Sequence, residues 1–161
     1  MRTKCLFAIL ALGTVVSLAQ QPAAQAMKTF ASSSDVAALV AQAKSEHKDQ
    51  PLIGKPILQL APYRANMEYR ASVGPASVHE KEAEMFYVIE GAATMITGGK
   101  LVNEKRTNAE NLSGTGVESG ASRAVAKGDF IVVPENTPHW FSKIDETLVL
   151  MSIHLPRTAA H

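Results

Sequence analysis

Hydrophobic positions follow two different periods along this chain. Between residues 36 and 43 they recur at the three- and four-residue spacing of one helix face, at Val36, Leu39, Val40 and Ala43. Ser34 can cap the start of a helix here, and the polar residues that follow His47 break its pattern. The spacing therefore predicts one short helix that ends near His47 and packs by one face on the outside of the domain.

Beyond Pro56 the period changes to the alternation of β-strands. Residues 63–70 alternate apolar and polar side chains, which is typical of a strand with one buried face. Further β-forming runs occupy residues 57–60, 85–89, 130–133 and 148–155. After Glu90–Gly91, residues 92–97 predict a return strand, and Gly98–Gly99 predict the turn that ends it. Many short strands with glycine and proline turns predict an all-β fold, an antiparallel sandwich or barrel with a short N-terminal helix.

Residues 103–120 depart from this regularity. They are rich in Ser, Asn, Thr and Gly and show no sustained period. A loop of this length in a compact domain is usually a functional rim or a mobile insertion. We therefore expect a polar loop here, which either closes over a pocket mouth or is a solvated excursion.

The N-terminal segment has the order of a secretory signal peptide. Arg2 and Lys4 precede an apolar run over residues 5–18, and a small-residue cleavage site ends at Ala26. The apolar run has 14 residues, fewer than the about 20 that a membrane-spanning helix needs, although an uncleaved anchor is the alternative. We expect a periplasmic or secreted protein with three parts: a signal peptide (1–26), a tether and helix (27–50) and a β domain (51–161).

Composition narrows the choice of partners. The chain has a single cysteine, Cys5, which lies in the predicted signal, so the mature protein must be stable without disulfides. The full chain has a formal net charge of +1, and removal of Arg2 and Lys4 leaves one net negative charge. A nearly neutral protein gives no support for binding to nucleic acid, or to a membrane after signal cleavage. A small molecule or another protein is the expected partner.

Candidate chemistry concentrates in two stretches of the β domain. Residues 74–91 hold His79 and Glu84, and residues 128–139 end in His139. Two imidazoles and one carboxylate suit Fe(II), Mn(II), Ni(II), Zn(II) or Cu(II). Three protein ligands leave open coordination positions for water and substrate.

Convergence of these residues requires an irregular backbone. His79 and Glu84 would face opposite sides of a straight strand, because their separation is odd. A bulge or turn over residues 80–83 must therefore lie between them. His154 falls in the middle of the last predicted strand, and we expect it to be structural.

The two stretches resemble the paired motifs of the cupin superfamily. In the first motif of that family a Glu is followed by six residues and a Gly, as Glu84 and Gly91 are here. In the second, a Gly is followed by five residues and a Pro and then by a His, as Gly128, Pro134 and His139 are here. The resemblance covers roughly residues 56–155, and the joint match is specific for the fold.

The first motif of the family has two histidines where this chain has one. If His79 takes the second position, the first falls on Ser77; if His79 takes the first, the second falls on Lys81 and the spacer to Glu84 is short. We favour Ser77, and the sequence leaves the choice open. A serine hydroxyl is a poor ligand, and a lysine coordinates only when deprotonated, against an ordinary pKa of ~10.4. Asn136 stands where the family has glycine, and asparagine tolerates left-handed turns.

The resemblance implies an antiparallel jelly-roll β-barrel, with a divalent transition metal at His79, Glu84 and His139 and a small-molecule ligand or substrate. It also implies a homodimer. Three functions are consistent with it. The first is a metal-dependent enzyme acting on a small polar organic molecule: an oxygenase, or an isomerase or lyase in which Glu82 or Lys81 carries the proton. The second is a non-catalytic small-ligand-binding barrel with a degenerate metal site, and the third is a barrel whose site has decayed and whose fold is kept as an interaction surface. The absent imidazole favours the second and third more than a complete set would.

Overall fold

The computed structural model describes residues 27–157, so the signal peptide predicted for residues 1–26 lies outside the described residues. In the described part the chain forms one helix, α1 (Ser33–Glu46), followed by eleven strands. The strands are β1 (Leu52–Leu60), β2 (Tyr63–Arg70), β3 (Ala76–His79), β4 (Glu82–Thr97), β5 (Lys100–Val102), β6 (Lys105–Arg106), β7 (Asn111–Gly114), β8 (Gly116–Glu118), β9 (Ala121–Ala126), β10 (Phe130–Val133) and β11 (His139–Pro156). No helix within residues 27–157 is long and apolar enough to cross a membrane.

Helix α1 starts at a capping box rather than at the predicted serine. The backbone N–H of Asp35 donates to Ser32 Oγ at 3.1 Å, and the N–H of Ser32 donates to Asp35 Oδ2 at 2.8 Å. Ser34 was the wrong cap because a capping box needs an acidic or amide residue three positions later, and Ser32 has one. His47 is the C-cap, which confirms the predicted end. Ala43 is buried, so one face of the helix packs as predicted.

The strands pair in antiparallel order, and β4 lies at the centre of their nine-stranded sheet. β4 pairs with β10 and β9 along its two halves and with β11 along nearly its whole length. The inner core consists of Phe86, Val88, Ala93, Met95, Val125, Val133, Phe141, Leu148 and Leu150. A second core lies between α1 and the outer face of the sheet and contains Ala43, Ile57, Ala65, Met67, Tyr69 and Val149. This confirms the all-β antiparallel jelly-roll barrel with its N-terminal helix.

The predicted hairpin at Glu90–Gly91 is wrong. β4 runs without interruption through Gly91, which has φ +89°, and the chain turns only at Gly98–Gly99. A Cβ on Gly91 would lie 2.0 Å from the carbonyl oxygen of Thr147 on β11. The glycine therefore allows two long strands, β4 and β11, to lie close together, and it does not reverse the chain.

The predicted loop over residues 103–120 is also wrong, because half of it forms the strands β6, β7 and β8. β7 pairs with the edge of β3, with Asn111 opposite His79, and β8 pairs with β5 in a separate two-stranded sheet. Side-chain alternation does not reveal these strands, since they are short and mostly polar. They place this segment directly beside the first of the two candidate stretches.

Candidate metal centre

Glu84 lies at the centre of the candidate site. β3 ends at His79 and β4 begins at Glu82, so Glu80 and Lys81 form the break that the odd spacing requires. Nε2 of His79 lies 3.1 Å from Glu84 Oε2, and Nε2 of His139 lies 3.2 Å from the same oxygen. Glu84 is only 4% exposed. The three residues expected from the sequence therefore meet at one buried carboxylate, while their role as metal ligands stays a prediction.

His154 joins them, which the sequence interpretation missed. In the pairing of β11 with β4 it stands opposite Glu84, and its Nε2 lies 3.4 Å from Glu84 Oε1. Single ligand atoms of His79, Glu84 and His154 all lie within 4.8 Å of one another, a spacing that suits a metal ion. His154, expected from the sequence to be structural, therefore lies within the candidate site. We call Glu84 and the three histidines His79, His139 and His154 the Glu84 cluster.

The parity of β11 explains why His154 was missed. His139 and Phe141 are buried at odd positions, whereas Leu148, Leu150, Ser152 and His154 are buried at even positions. Irregular pairing with β4 between Phe141 and Leu148 switches the inward face of the strand. The odd positions of its second half are also apolar, because they face the core beside α1. Both faces therefore look buried in the sequence, and alternation could not assign His154 to the interior.

Each histidine of the Glu84 cluster uses its Nδ1 on an oxygen outside the cluster. The three contacts are His79 to Asn111 Oδ1 at 2.6 Å, His139 to the Thr137 carbonyl at 3.1 Å and His154 to Glu82 Oε2 at 3.0 Å. Since these oxygens are acceptors, each Nδ1 carries the proton. A neutral imidazole protonated at Nδ1 has its lone pair on Nε2. In its neutral form each ring then presents the Nε2 lone pair towards Glu84, whereas a protonated ring donates from Nε2 to the carboxylate.

The charges in the site respond to this arrangement. Burial would raise the pKa of Glu84, but hydrogen bonds from His139 and His79 and the charges of the histidines hold it well below its usual range. Burial acts to lower the pKa of His79, yet its bonds to Glu84 and Asn111 outweigh this, and the pKa is raised. For His154, burial lowers the pKa, and the attraction of Glu84 does not offset it. A neutral His154 thus directs a lone pair at a carboxylate.

A divalent cation fits the spacing of His79, Glu84 and His154. Two ligand atoms about 2.1 Å from a common ion lie about 3.0–3.4 Å apart at octahedral or tetrahedral angles. The three contacts of Glu84 with the histidines, at 3.1, 3.2 and 3.4 Å, fall in this range. In a buried site, the contact of an imidazole lone pair with a carboxylate oxygen is unfavourable. A cation bound between the two would remove this contact.

The structure distinguishes the two positions considered for the absent imidazole. Lys81 is exposed, and its Nζ lies 3.2 Å from Glu110. Ser77 lies two residues before His79 on β3, so both share one face, and it pairs with His139. Ser77 is therefore the position nearer the Glu84 cluster. Asn136, at φ +55°, adopts the left-handed turn that its place in the second motif requires.

A cavity of about 810 Å³ lies on the β1–β2 side of the sheet. Its polar lining includes Gln59, Tyr63, Arg64 and Asn66. Arg64 also forms a two-point contact with Glu82, at 2.9 and 3.2 Å, and Glu82 is the residue that binds His154. Two side chains thus connect this cavity with the Glu84 cluster.

Comparisons with known proteins agree with the fold. A family model described as Cupin matches residues 46–159. KdgF from Halomonas sp. is 18% identical over 68% of this chain and 84% of its own, with a TM-score of 0.50. HppE in its Fe(II) form is 15% identical over 65% of this chain and 51% of its own, also with a TM-score of 0.50. The Cnp3 cupin domain of Schizosaccharomyces pombe is 13% identical over 68% and 67%, with a TM-score of 0.48. No curated protein matches the sequence.

Proposed function

The chain belongs to the cupin family, and we propose that it binds a divalent transition metal at the Glu84 cluster together with a small polar organic molecule. One observation carries the proposal. Three imidazoles, each with Nδ1 bonded elsewhere, direct Nε2 at one buried carboxylate. The Nε2 lone pairs of the neutral imidazoles point into the cluster and their Nδ1–H donors point away from it. This arrangement suits a cation better than it suits any neutral group.

His79, Glu84 and His154 form the group with metal-like spacing, and His139 reaches the same carboxylate. Glu84 would neutralise one charge of the ion, while the imidazoles supply neutral donors suited to Fe, Mn, Ni, Zn or Cu. Such an ion supplies Lewis-acid polarisation of a carbonyl or carboxylate, or redox chemistry with O₂. This is the basis for a metal-dependent oxygenase or isomerase. Fe(II) is a natural first choice for loading, since HppE of the same fold is known in an Fe(II) form.

The remaining polar residues of the barrel would bind or orient the organic molecule. Arg64 and Asn66 line the cavity of about 810 Å³, and Arg64 can donate to a carboxylate or hydroxyl group. This favours a small hydroxylated or carboxylated molecule over an apolar one. The cavity has room for a molecule of that size.

One observation favours the alternative, a non-catalytic cupin that binds a small ligand. Neither residue considered as a proton carrier is free for that role. Lys81 is exposed and paired with Glu110, and Glu82 is held between Arg64 and His154. A barrel without an available acid or base would bind its ligand without turnover.

Elemental analysis of the mature protein, purified without a histidine tag, tests the metal. We expect close to one equivalent of Fe, Mn, Ni, Zn or Cu in the wild type, and none in the His79→Ala/His139→Ala double variant. His47→Ala is the matched control, because that imidazole lies at the end of α1 against Tyr69. A folded wild type that holds no metal, and gains no thermal stability from any of the five, would refute the proposal. Turnover of hydroxy acids, diketones and sugars then separates an enzyme from a binding protein.

We propose further that the protein is exported and forms a homodimer. β10 pairs only with β4 among the described strands, and Phe130 and Val132 on it are 69% and 60% exposed. Proteins usually cover an exposed apolar strand at the edge of a sheet. A second copy of the chain would cover β10 in this way. Light scattering of the mature wild type and of Phe130→Asp should give a dimer and a monomer, and a monomeric wild type would contradict the proposal. Cell fractionation tests the periplasmic or secreted location.

A further inference from the structure

His154, Arg64 and Glu84 stand in one row across three strands. His154 on β11 pairs with Glu84 on β4 on one side and with Arg64 on β2 on the other. Directly opposed residues of antiparallel strands point to the same face of the sheet. Glu82 lies two residues before Glu84 on β4, so it shares that face. The fold therefore gathers four charged or ionisable side chains in one place.

These side chains form a continuous chain of hydrogen bonds. Arg64 donates from both Nη atoms to the two oxygens of Glu82, at 3.2 and 2.9 Å. Glu82 Oε2 accepts from His154 Nδ1 at 3.0 Å. The two-point contact with Arg64 fixes the plane of the Glu82 carboxylate, and that carboxylate then fixes the tautomer and ring orientation of His154. Nε2 of His154 is left directed at Glu84 Oε1.

The other histidines occupy the other side of the Glu84 carboxylate. His79 and His139 both contact Oε2, whereas His154 contacts Oε1. Ser77, at the position of the absent imidazole, offers only a hydroxyl. The count of imidazoles around Glu84 is thus restored to three, with the third coming from β11 instead of β3.

We propose that His154 takes the place of the imidazole absent at Ser77 as a metal ligand, and that Glu82, held by Arg64, is its positioning residue. This inference rests on the proposed metal binding and adds the source of one ligand and the pair that orients it. It explains how a first motif with one histidine retains a site. It also gives the Arg64–Glu82 pair a role besides the stability of the barrel surface.

The test is a Co(II) titration of the full mature chain, followed by the visible d–d absorption of the bound ion. His154→Ala should weaken Co(II) affinity by more than about 100-fold and change the d–d spectrum, because a nitrogen ligand is lost. Glu82→Ala should weaken it by about 10–100-fold. Glu82→Gln should lose less, because an amide oxygen still accepts from Nδ1. This rescue by the conservative variant is not expected of a carboxylate that only stabilises the fold.

Glu80→Ala is the matched control. Glu80 makes the same two-point contact with Arg106, at 2.7 and 2.9 Å, without a hydrogen bond to a histidine among the described residues. Its affinity for Co(II) should stay within about 2-fold of the wild type. Far-UV circular dichroism establishes that each variant is folded, and Glu82→Ala carries the test if His154→Ala does not fold.

The outcomes separate this inference from the proposed function. A wild type that binds no Co(II) would overturn both. A wild type that binds, together with a His154→Ala variant of unchanged affinity and spectrum, would overturn the inference alone. Equal losses in Glu82→Ala and Glu80→Ala would remove the role of Glu82 as a positioning residue.

Discussion

Replacement of Glu84 by Gln should change the stability of the metal-free protein with opposite signs at low and high pH. The carboxylate is buried and touches three imidazoles, two of them through Oε2. Gln keeps the shape of the side chain, loses its charge and gains an N–H₂ donor. The sign of the effect depends on whether His79 is protonated, since its pKa is raised above the ordinary value.

The magnitude follows from the hydrogen bond that each form can make. The stabilisation from a raised histidine pKa is fully present below about pH 6.5 and is lost as the pH rises through the raised value. Below that value the His79 imidazolium donates to the Glu84 carboxylate, and this bond between two charged partners is worth about 1.5–3 kcal/mol. The carbonyl oxygen of Gln accepts from the same imidazolium, but with only one charged partner the bond is weaker. We therefore expect Glu84→Gln to cost about 1 kcal/mol there. Above the raised pKa of His79, the Glu84 carboxylate faces the lone pair on His79 Nε2. The amide N–H of the Gln variant donates to that Nε2 instead. A gain of about 1–3 kcal/mol is expected.

Urea denaturation with a chelator present, at about pH 5.5 and about pH 8.5, measures both values. Glu80→Gln is the control, since its exposed pair with Arg106 has no inward histidine contact among the described residues. The reasoning is refuted if Glu84→Gln destabilises the protein equally at both pH values. A loss at high pH would mean that no lone pair faces Glu84.

Three further results are expected. Asn111→Ala should weaken binding of Zn(II) by about 10–100-fold, because Asn111 Oδ1 accepts from Nδ1 of His79. Competition with a coloured chelator measures this affinity. Asn108→Ala should have a smaller effect, because Asn108 contacts Asn111 and not the imidazole. Gly91→Ala should cost more than about 3 kcal/mol in urea denaturation, because its Cβ would meet Thr147 O at 2.0 Å and its φ is +89°. The control Gly54→Ala, whose added Cβ would meet no neighbouring group within 4 Å, should change stability by less than about 1 kcal/mol. Equal effects would contradict the close contact of β4 and β11. Ser32→Ala should cost about 1 kcal/mol as the true helix cap, and a larger loss in Ser34→Ala would contradict that assignment.

Regular periodicity was sufficient for the elements with one apolar and one polar face. β2 alternates as predicted, with Ala65, Met67 and Tyr69 buried. The helix packs Val36, Leu39, Val40 and Ala43 against the core, at three- and four-residue spacing. In both elements one face is apolar and the other polar, so the sequence contains the answer.

The predictions are wrong where backbone contacts determine the structure or where a strand is buried on both faces. Gly91 signals a turn in sequence, yet it permits the close approach of Thr147 in a continuous strand. The polar strand β7 is held by backbone pairing with β3, which leaves no apolar period. His154 lies on a strand with two buried faces, where alternation has no preferred side.

The candidate site was predictable in part for the same reason. Motif spacing brought out His79, Glu84 and His139, because their positions in sequence follow the family pattern. Asn111, Glu82 and His154 act through pairings between distant strands, which spacing does not encode. The residues that orient the histidines therefore become visible only in the fold.

X-ray absorption spectroscopy of the Zn(II)-loaded mature protein tests the central claim most directly. With Nε2 atoms and Glu84 around one ion, the spectrum should contain nitrogen and oxygen scatterers at about 2.0–2.2 Å and the multiple scattering of two or three imidazoles. That imidazole signal should decrease in His154→Ala. A shell of oxygen alone, without imidazole scattering, would contradict the account.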